Sequence, residues 1–289
     1  MSRQAAGAVG TNSAGDALAA ATDALRAAGV DSPRLDAEVL LAGVTGATRA
    51  ALAASPEAPL DPAATRSFAE FVRRRLRREP VAYILGRRGF RRIDLAVDHR
   101  VLIPRPESEL LVELALELEP LTVLDVGTGS GAIALAVADE LPEARVVATD
   151  IYPETLEVAR FNAERLGLAD RVRFEAGSLP AAGEFDLILA NMPYVTTREW
   201  LDLAPELRDW EPRGSLTPGP TGLEAIEALL GELSISSSVA TRAIGLEVGH
   251  GQWGAVAELV RRVGFEPVEV RPDLAGIDRV VAGFSPVAG

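Results

Sequence analysis

The sequence predicts an α/β protein with a mostly parallel seven-stranded sheet, an antiparallel hairpin at one edge of that sheet, and a small helical domain before it. Beyond residue 120, short apolar runs alternate with segments of helical period, which is typical of parallel strands covered by helices on both faces. The last two apolar runs lie close together in sequence and favour an antiparallel pair. Before residue 86 the patterns are helical.

The N-terminal part is predicted to contain a tail and a helical domain. Residues 1–15 lack the apolar segment of a secretory signal, and we expect a disordered tail there. Residues 16–86 hold three helical stretches, each following a residue that can cap a helix. These capping residues are Ser13, Ser32 and Asp61.

Five arginines lie between Arg73 and Arg78, near the end of the third helical stretch. A solvated helix face is the interpretation that the general behaviour of charged helices favours. The alternative is a docking patch for an acidic or RNA-containing partner.

The second domain is predicted to follow a connecting hairpin at residues 87–104 and to span residues 105–289, with a helix beginning near Glu107. The strands of its sheet are predicted at residues 121–126, 145–150, 171–176, 185–190, 241–249, 265–270 and 278–284. Helices are predicted at residues 132–141, 154–167 and 252–264.

Composition excludes several classes of site. The chain has no cysteine, so disulfides, thiolate catalysis and iron–sulfur ligation are excluded, and two histidines make a histidine-based metal site or a Ser-His-Asp triad hard to build. We expect no metal. No apolar run reaches eighteen residues, so no membrane span is expected. The net charge of -13 disfavours a direct nucleic-acid substrate.

The turn after the first predicted strand of the sheet is rich in glycine. Gly127, Gly129 and Gly131 let a ligand approach the backbone where a helix begins, although tight packing alone is an alternative explanation. Asp150 ends the next strand, where a carboxylate can accept both hydroxyls of a ribose. Capping the following helix is a second role for Asp150, compatible with the first.

A third signal lies at the end of the fourth strand, in the tetrapeptide "NMPY" of residues 191–194. Ligands of open parallel sheets bind beyond the carboxyl ends of the strands. The tetrapeptide is therefore expected at the same edge as the glycine-rich turn and Asp150.

Together, these three signals resemble those of the S-adenosylmethionine-dependent amino-methyltransferases. The stretches "EPVAYILGRRGF", "VLIPRPESELLVE", "WEPRGSL" and "DLAGIDRVVAGF" narrow the resemblance to the protein-(glutamine-N5) methyltransferases of the PrmC or HemK type. The family implies a Rossmann-like class I methyltransferase fold, S-adenosyl-L-methionine as cofactor, and a cytoplasmic enzyme that methylates the Gly-Gly-Gln glutamine of peptide-chain release factors. The N-terminal helical domain would dock that protein substrate.

The resemblance also implies roles for individual residues. The cofactor would be held by Asp125, Gly127, Thr128, Gly129, Ser130, Gly131, Asp150, Ser178 and Asn191. The substrate glutamine would be held by Asn191, Met192, Pro193 and Tyr194. An amide nitrogen gains positive charge as it is methylated, so the site needs acceptors, and the Asn191 side-chain oxygen and the Met192 carbonyl can supply them. The Tyr194 ring would pack on the amide, or else lie at the rim without touching it.

Several residues depart from the family pattern. Met192 replaces a proline, which loses a fixed φ but keeps the carbonyl, and Pro193 still favours an extended Met192. Ser178 stands where an acidic residue usually receives the adenine amino group, and Thr221 where an aspartate is more usual. Arg105 and Glu107 match the family's loop near the substrate entrance, with an ion-paired helix cap as the alternative role.

Two other functions remain open from the sequence. The same acceptors would suit the exocyclic amine of adenine, so an N6-adenine nucleic-acid methyltransferase is one alternative. The departures at Met192, Ser178 and Thr221 also allow a degenerate, non-catalytic binding protein.

Overall fold

The computed structural model describes residues 13–236 and 238–285, and the chain divides into two compact units at residues 85 and 86. The predicted tail lies largely outside the described residues. Its last residues were predicted wrongly, because Ser13 accepts a hydrogen bond from the Asp16 backbone N–H at 3.1 Å and the first helix begins at Ala14. In the described part of the chain, no helix is long and apolar enough to cross a membrane.

The smaller unit is helical, as predicted. Its helices are α1 (Ala14–Ala27), α2 (Pro33–Thr45), α3 (Arg49–Ala54), α4 (Pro62–Leu76) and α5 (Val81–Leu85). Asp61 caps α4 by accepting from the backbone N–H groups of Ala63 and Ala64, both at 2.8 Å. Buried side chains of α1, α2 and α4, including Leu18, Leu40 and Phe68, form its core.

The arginine-rich end of α4 is partly built into this core. Arg75 is buried and pairs with Asp36 of α2 at 2.7 Å, and Arg74 donates to Glu79 at 2.8 Å. Arg73, which is exposed, pairs with Glu70 of the same helix. A uniformly solvated face is therefore wrong for this segment, because Arg75 links α4 to α2.

The larger unit contains the predicted seven-stranded sheet. Its strands are β3 (Thr122–Val126), β4 (Arg145–Asp150), β5 (Val172–Ala176), β6 (Gly183–Ala190), β7 (Val239–Glu247), β8 (Val268–Pro272) and β9 (Asp278–Phe284). The order across the sheet is β5-β4-β3-β6-β7-β9-β8. Pairs from β5 to β7 are parallel, and β9 is antiparallel to both β7 and β8.

The edge strand β8 starts three residues later than predicted and is irregular. Pro267 has no N–H to donate to the sheet, so regular pairing begins at Val268. The register with β9 then shifts between Arg271 and Pro272. This edge is therefore short and bulged.

Helices cover both faces of the sheet, as near-continuous apolar strands require. The helices of the larger unit are α6 (Glu109–Leu118), α7 (Ala132–Glu140), α8 (Pro153–Leu166), α9 (Thr197–Asp202), α10 (Pro205–Arg208), α11 (Glu224–Ile235) and α12 (Trp253–Arg262). The short α9 and α10 have no buried residue and do not contribute to the two core clusters of the sheet. In β6, Leu187 and Leu189 belong to the core cluster that includes α6 and α7, while Ile188 and Ala190 belong to the cluster that includes α11 and α12. The sheet is the middle of three layers.

The hairpin predicted as a connector belongs to the larger unit. Its strands are β1 (Arg87–Phe90) and β2 (Ile93–Ala96), and their buried side chains join the core cluster of α6 and α7. Asn162 of α8 fixes β2, because its side chain accepts from the Ala96 N–H at 2.7 Å and donates to the Ala96 carbonyl at 3.0 Å. The same amide donates to the Ser130 carbonyl at 2.9 Å. One buried side chain thus ties the hairpin to the glycine-rich turn.

Replacing Asn162 by alanine is expected to lower the free energy of unfolding by about 2–3 kcal/mol, because it leaves buried backbone groups without partners. Urea unfolding of the full chain measures this loss. Glu164→Ala, at an exposed position of the same helix, is the control and is expected to change stability by less than about 0.5 kcal/mol. Equal effects of the two substitutions would contradict this role for Asn162.

Candidate functional site

A cavity of about 400 Å³ lies at the carboxyl edge of the parallel strands. Small-molecule pockets commonly have volumes of about 300–1,000 Å³, so the cavity can take a nucleoside-sized ligand. Its lining includes Gly127 and Gly129 after β3, Asp150 at the end of β4, and Asn191 after β6. The three sequence signals therefore meet in one place.

The glycine-rich turn adopts left-handed backbone conformations that residues other than glycine rarely take. Gly127, Gly129 and Gly131 have φ values of +71°, +58° and +84°. The backbone N–H groups of Gly127 and Thr128 both donate to the Thr149 carbonyl at 2.9 Å, which fixes the turn against β4. Because left-handed conformations are costly for L-residues, the glycines are needed for conformation as well as for access.

Asp125 lies beneath this turn and does not line the cavity. It is fully buried, and one carboxylate oxygen accepts from the Thr128 hydroxyl at 2.6 Å and from the Ala134 N–H at 3.1 Å. Burial raises the pKa of Asp125 to about 6. Thr128, Ser130 and Gly131 belong to the turn itself, and they are buried and absent from the cavity lining. These four residues therefore hold the shape of the turn without facing the cavity.

Asp150 lines the cavity and also organises the turn. Its carboxylate accepts from the Gly129 N–H at 3.1 Å and from the Tyr152 N–H at 3.0 Å, just before α8. Burial raises the pKa of Asp150 above its usual range. The expected capping of α8 is wrong, because Tyr152 is the N-cap residue and the helix start has no side-chain cap hydrogen bond. The Asp150 carboxylate remains at the cavity, where the ligand-facing role was predicted.

Asn191 reaches from the cavity into a buried polar chain. Its side-chain Nδ2 donates to the Ser108 hydroxyl at 2.8 Å, and that hydroxyl donates to the Glu247 carboxylate at 2.6 Å. Glu247 ends β7 and is 1% exposed. Burial raises the pKa of Glu247 to about 7.

The remaining three residues of the tetrapeptide do not all face the cavity. Met192 and Pro193 line the cavity, whereas Tyr194 is absent from its lining. The Tyr194 hydroxyl lies 3.5 Å from a Glu247 oxygen, and its backbone carbonyl accepts from Gln252 at 2.9 Å. Burial, with the Glu247 charge, raises the pKa of Tyr194 to about 12. Tyr194 therefore packs beside the cavity, next to Glu247 and Gln252, and does not line it.

The positions that depart from the family pattern have defined partners. Ser178 lines the cavity and donates its hydroxyl to Glu232 of α11, which brings a carboxylate close to this wall. Thr221 accepts from the Leu223 N–H at 3.2 Å and so helps to start α11.

Arg105 pairs with Glu211, which is buried and also accepts from the Ile103 N–H at 3.0 Å. This ion pair joins two loops that are about a hundred residues apart. Arg105 is also the N-cap residue of the 3-10 turn Pro106–Ser108, so it is ion-paired at a helix start, although its side chain makes no cap hydrogen bond.

Sequence reasoning missed Ser108, Glu211 and Glu247 as parts of the site. Ser108 and Glu211 lie inside the stretches that carry the family resemblance, and Glu247 is a carboxylate that directly follows the apolar run of residues 243–246 at the end of β7. A charged residue there was the available signal, because buried charges need specific partners. No metal centre competes with this site: within residues 13–236 and 238–285, no three His, Cys, Asp or Glu side chains are grouped to hold an ion.

Comparison with known proteins identifies the family. A family model described as "PrmC N-terminal domain" matches residues 16–86, and one described as "Methyltransferase domain" matches residues 118–209. A release factor glutamine methyltransferase of Cereibacter sphaeroides is 42% identical over 277 residues, covering 95% of this chain and 99% of that protein. The chain belongs to the release factor glutamine methyltransferase family. A relative of the same name from Moorella thermoacetica is 43% identical, with 93% and 97% covered.

The fold comparison agrees with this family. The catalytic domain of hMettl16, solved with the MAT2A 3′UTR hairpin 6, has a TM-score of 0.53 and 16% identity, covering 66% of this chain and 75% of that one. The likeness concerns the fold alone. The predicted Rossmann-like class I methyltransferase fold, with a mostly parallel sheet and an antiparallel edge hairpin, is confirmed.

Gly127→Ala is expected to weaken S-adenosylmethionine binding by about tenfold or more. A φ of +71° costs an L-residue roughly 1–2 kcal/mol, so alanine favours a different backbone conformation of the turn at the cavity wall. Calorimetric titration measures the affinity. Gly231→Ala, with open space around its Cβ position within α11, is the control and should bind normally. Unchanged affinity in Gly127→Ala would contradict this account of the turn.

Proposed function

We propose that this protein transfers the methyl group of S-adenosyl-L-methionine to the side-chain nitrogen of the Gly-Gly-Gln glutamine in peptide-chain release factors. The observation that carries the proposal is Asn191, whose carboxamide reaches the cavity lined by Gly127 and Asp150. The relatives named above are release factor glutamine methyltransferases over nearly the full length of the chain.

The cavity suits the cofactor chemically. Gly127 and Gly129 give backbone access where the methionine part would lie, and the Asp150 carboxylate can accept the ribose hydroxyls. Ser178, whose hydroxyl oxygen keeps lone pairs beyond its bond to Glu232, is the candidate acceptor for the adenine amino group. Asp125, Thr128, Ser130 and Gly131 hold the turn in shape. When bound, S-adenosylmethionine supplies an electrophilic methyl group on a sulfonium sulfur.

The amide needs acceptors, because its nitrogen lone pair is delocalised and its nitrogen becomes positive during transfer. The Asn191 side-chain oxygen accepts one amide proton and the Met192 carbonyl accepts the other. Both orient the lone pair and stabilise the charge that develops in the transition state. The methylated amide cation is acidic enough to lose its proton to water, so no strong base is required.

Pro193 and Tyr194 complete the substrate side. Pro193 restricts Met192 towards an extended backbone, which presets the direction of its carbonyl. Tyr194, lying outside the cofactor cavity, packs its ring against the glutamine amide from the substrate side.

The N-terminal helical unit is the proposed docking surface for the release factor, and the cytoplasm, where translation ends, is the proposed location. The net charge of -13 favours a protein substrate over a nucleic-acid backbone.

Unmodified release factors incubated with the protein and S-adenosylmethionine are expected to gain one methyl group on the Gly-Gly-Gln glutamine, read by peptide mass spectrometry. Asn191→Ala should lower kcat by roughly 10²–10³-fold, as removal of one preorganised electrostatic partner does.

Cofactor binding without methylation of any release factor would contradict the proposed substrate and would direct the search to other proteins and then to nucleic acid. No cofactor binding at all would instead favour a non-catalytic protein.

Met192→Pro is expected to leave turnover equal or higher, because proline fixes φ at a position whose carbonyl is the acceptor. Steady-state kinetics on the release factor measure this effect, with Asn191→Ala as the inactive reference. Complete loss of activity would contradict the assigned role of the Met192 carbonyl.

A further inference from the structure

The chain of hydrogen bonds behind Asn191 is directional. The Ser108 hydroxyl has one proton, and it donates that proton to the Glu247 carboxylate at 2.6 Å. While Glu247 is ionised, the hydroxyl can therefore only accept from Asn191, and the Asn191 atom facing it is the amide nitrogen, at 2.8 Å. A carboxamide has one nitrogen and one oxygen, so the oxygen is left for a ligand.

This chain is well isolated from water. Ser108 and Glu247 are 4% and 1% exposed, and they come from the turn before α6 and the end of β7. When only one arrangement gives every buried polar group a hydrogen-bond partner, that arrangement is strongly preferred. The charged or titratable groups that face Glu247 from the neighbouring elements are Glu107, Tyr194 and Arg279.

We propose that Glu247 is a positioning residue: acting through the Ser108 hydroxyl, it holds the Asn191 amide with its oxygen towards the substrate nitrogen. The inference rests on the proposed role of Asn191 and adds the reason for its orientation. Reversal of the amide would present an NH₂ group to the substrate NH₂, and two donors would then face each other.

Glu247→Gln is the sharpest test, because it keeps the size and removes the acceptor-only character. Glutamine puts an NH₂ group in place of one acceptor oxygen, and this donor can face the Ser108 hydroxyl, which lies 2.6 Å from the carboxylate oxygen. Ser108 then accepts from Gln and donates to Asn191, which reverses the Asn191 amide. We expect kcat to fall at least tenfold, with KM and the cofactor Kd changed less than about threefold.

Ser108 supplies the matched pair of variants. Ser108→Ala removes the hydroxyl that links Glu247 to Asn191 and should also lower kcat at least tenfold. Ser108→Thr keeps the hydroxyl, and its kcat should remain within threefold of that of the unmodified protein. Loss of kcat in both Ser108 variants would indicate packing rather than orientation and would overturn the inference. Wild-type kcat in Glu247→Gln would overturn it as well.

A spectroscopic measurement tests the orientation without any substrate. The sequence has three asparagines, Asn12, Asn162 and Asn191, so ¹⁵N-asparagine labelling gives three side-chain amide signals, and Asn191→Ala assigns one of them. Burial raises the pKa of Glu247 to about 7, so the Asn191 signal should shift with pH around that value. In Glu247→Gln it should be displaced and independent of pH between 6 and 8.

The two proposals can fail separately. An Asn191 signal that ignores both pH and the substitution at Glu247 overturns the orientation chain, even if release factors are methylated. If the Asn191 signal responds as expected but the protein methylates no release factor, the role of Glu247 in orienting Asn191 is supported. The proposed substrate alone is then contradicted.

Discussion

The site depends on the parallel register of β3, β4 and β6. Val126 pairs with Thr149 on one side and with Ala190 on the other, so the residues that follow each strand emerge at one edge. Parallel strands are joined by crossovers, which leaves this edge free for loops that carry chemistry. The backbone register alone therefore brings the ligand-facing residues described above to one edge of the sheet.

Buried polar side chains then fix the loops that the register brings together. Asn162 joins the hairpin to the glycine-rich turn, Asp125 supports the turn from below, and Glu211 joins two distant loops. Each of these groups is costly to bury without partners, so each specifies one loop arrangement more strongly than apolar packing would. The loops that form the cavity wall are therefore held in place by specific buried hydrogen bonds.

Much of this was predictable from sequence, because strands and motifs are local patterns. The strand runs, the glycine turn, Asp150 and the "NMPY" tetrapeptide all lie in short segments, and their common edge follows from topology. Helix α11 was missed although Ile226, Leu229 and Leu230 have helical spacing. That spacing was a usable signal.

The long-range partners could not be predicted in the same way. Ser108 meets Glu247 across 139 positions in sequence, and the Ile103 N–H meets Glu211 across 108. No local pattern encodes which buried carboxylate meets which loop. Asp125, which the family resemblance placed among the cofactor residues, has its side chain turned inward by the strand pleat and is fully buried.

The bulge at the outer edge strand has a consequence for assembly. An edge strand with regular, unpaired N–H and C=O groups is a template on which another chain can pair and aggregate. Here Pro272 lacks an N–H, and the register shift beside it disturbs the spacing that an incoming strand would need. Both features make regular pairing of another strand along β8 unfavourable, which protects this edge against aggregation at high protein concentration.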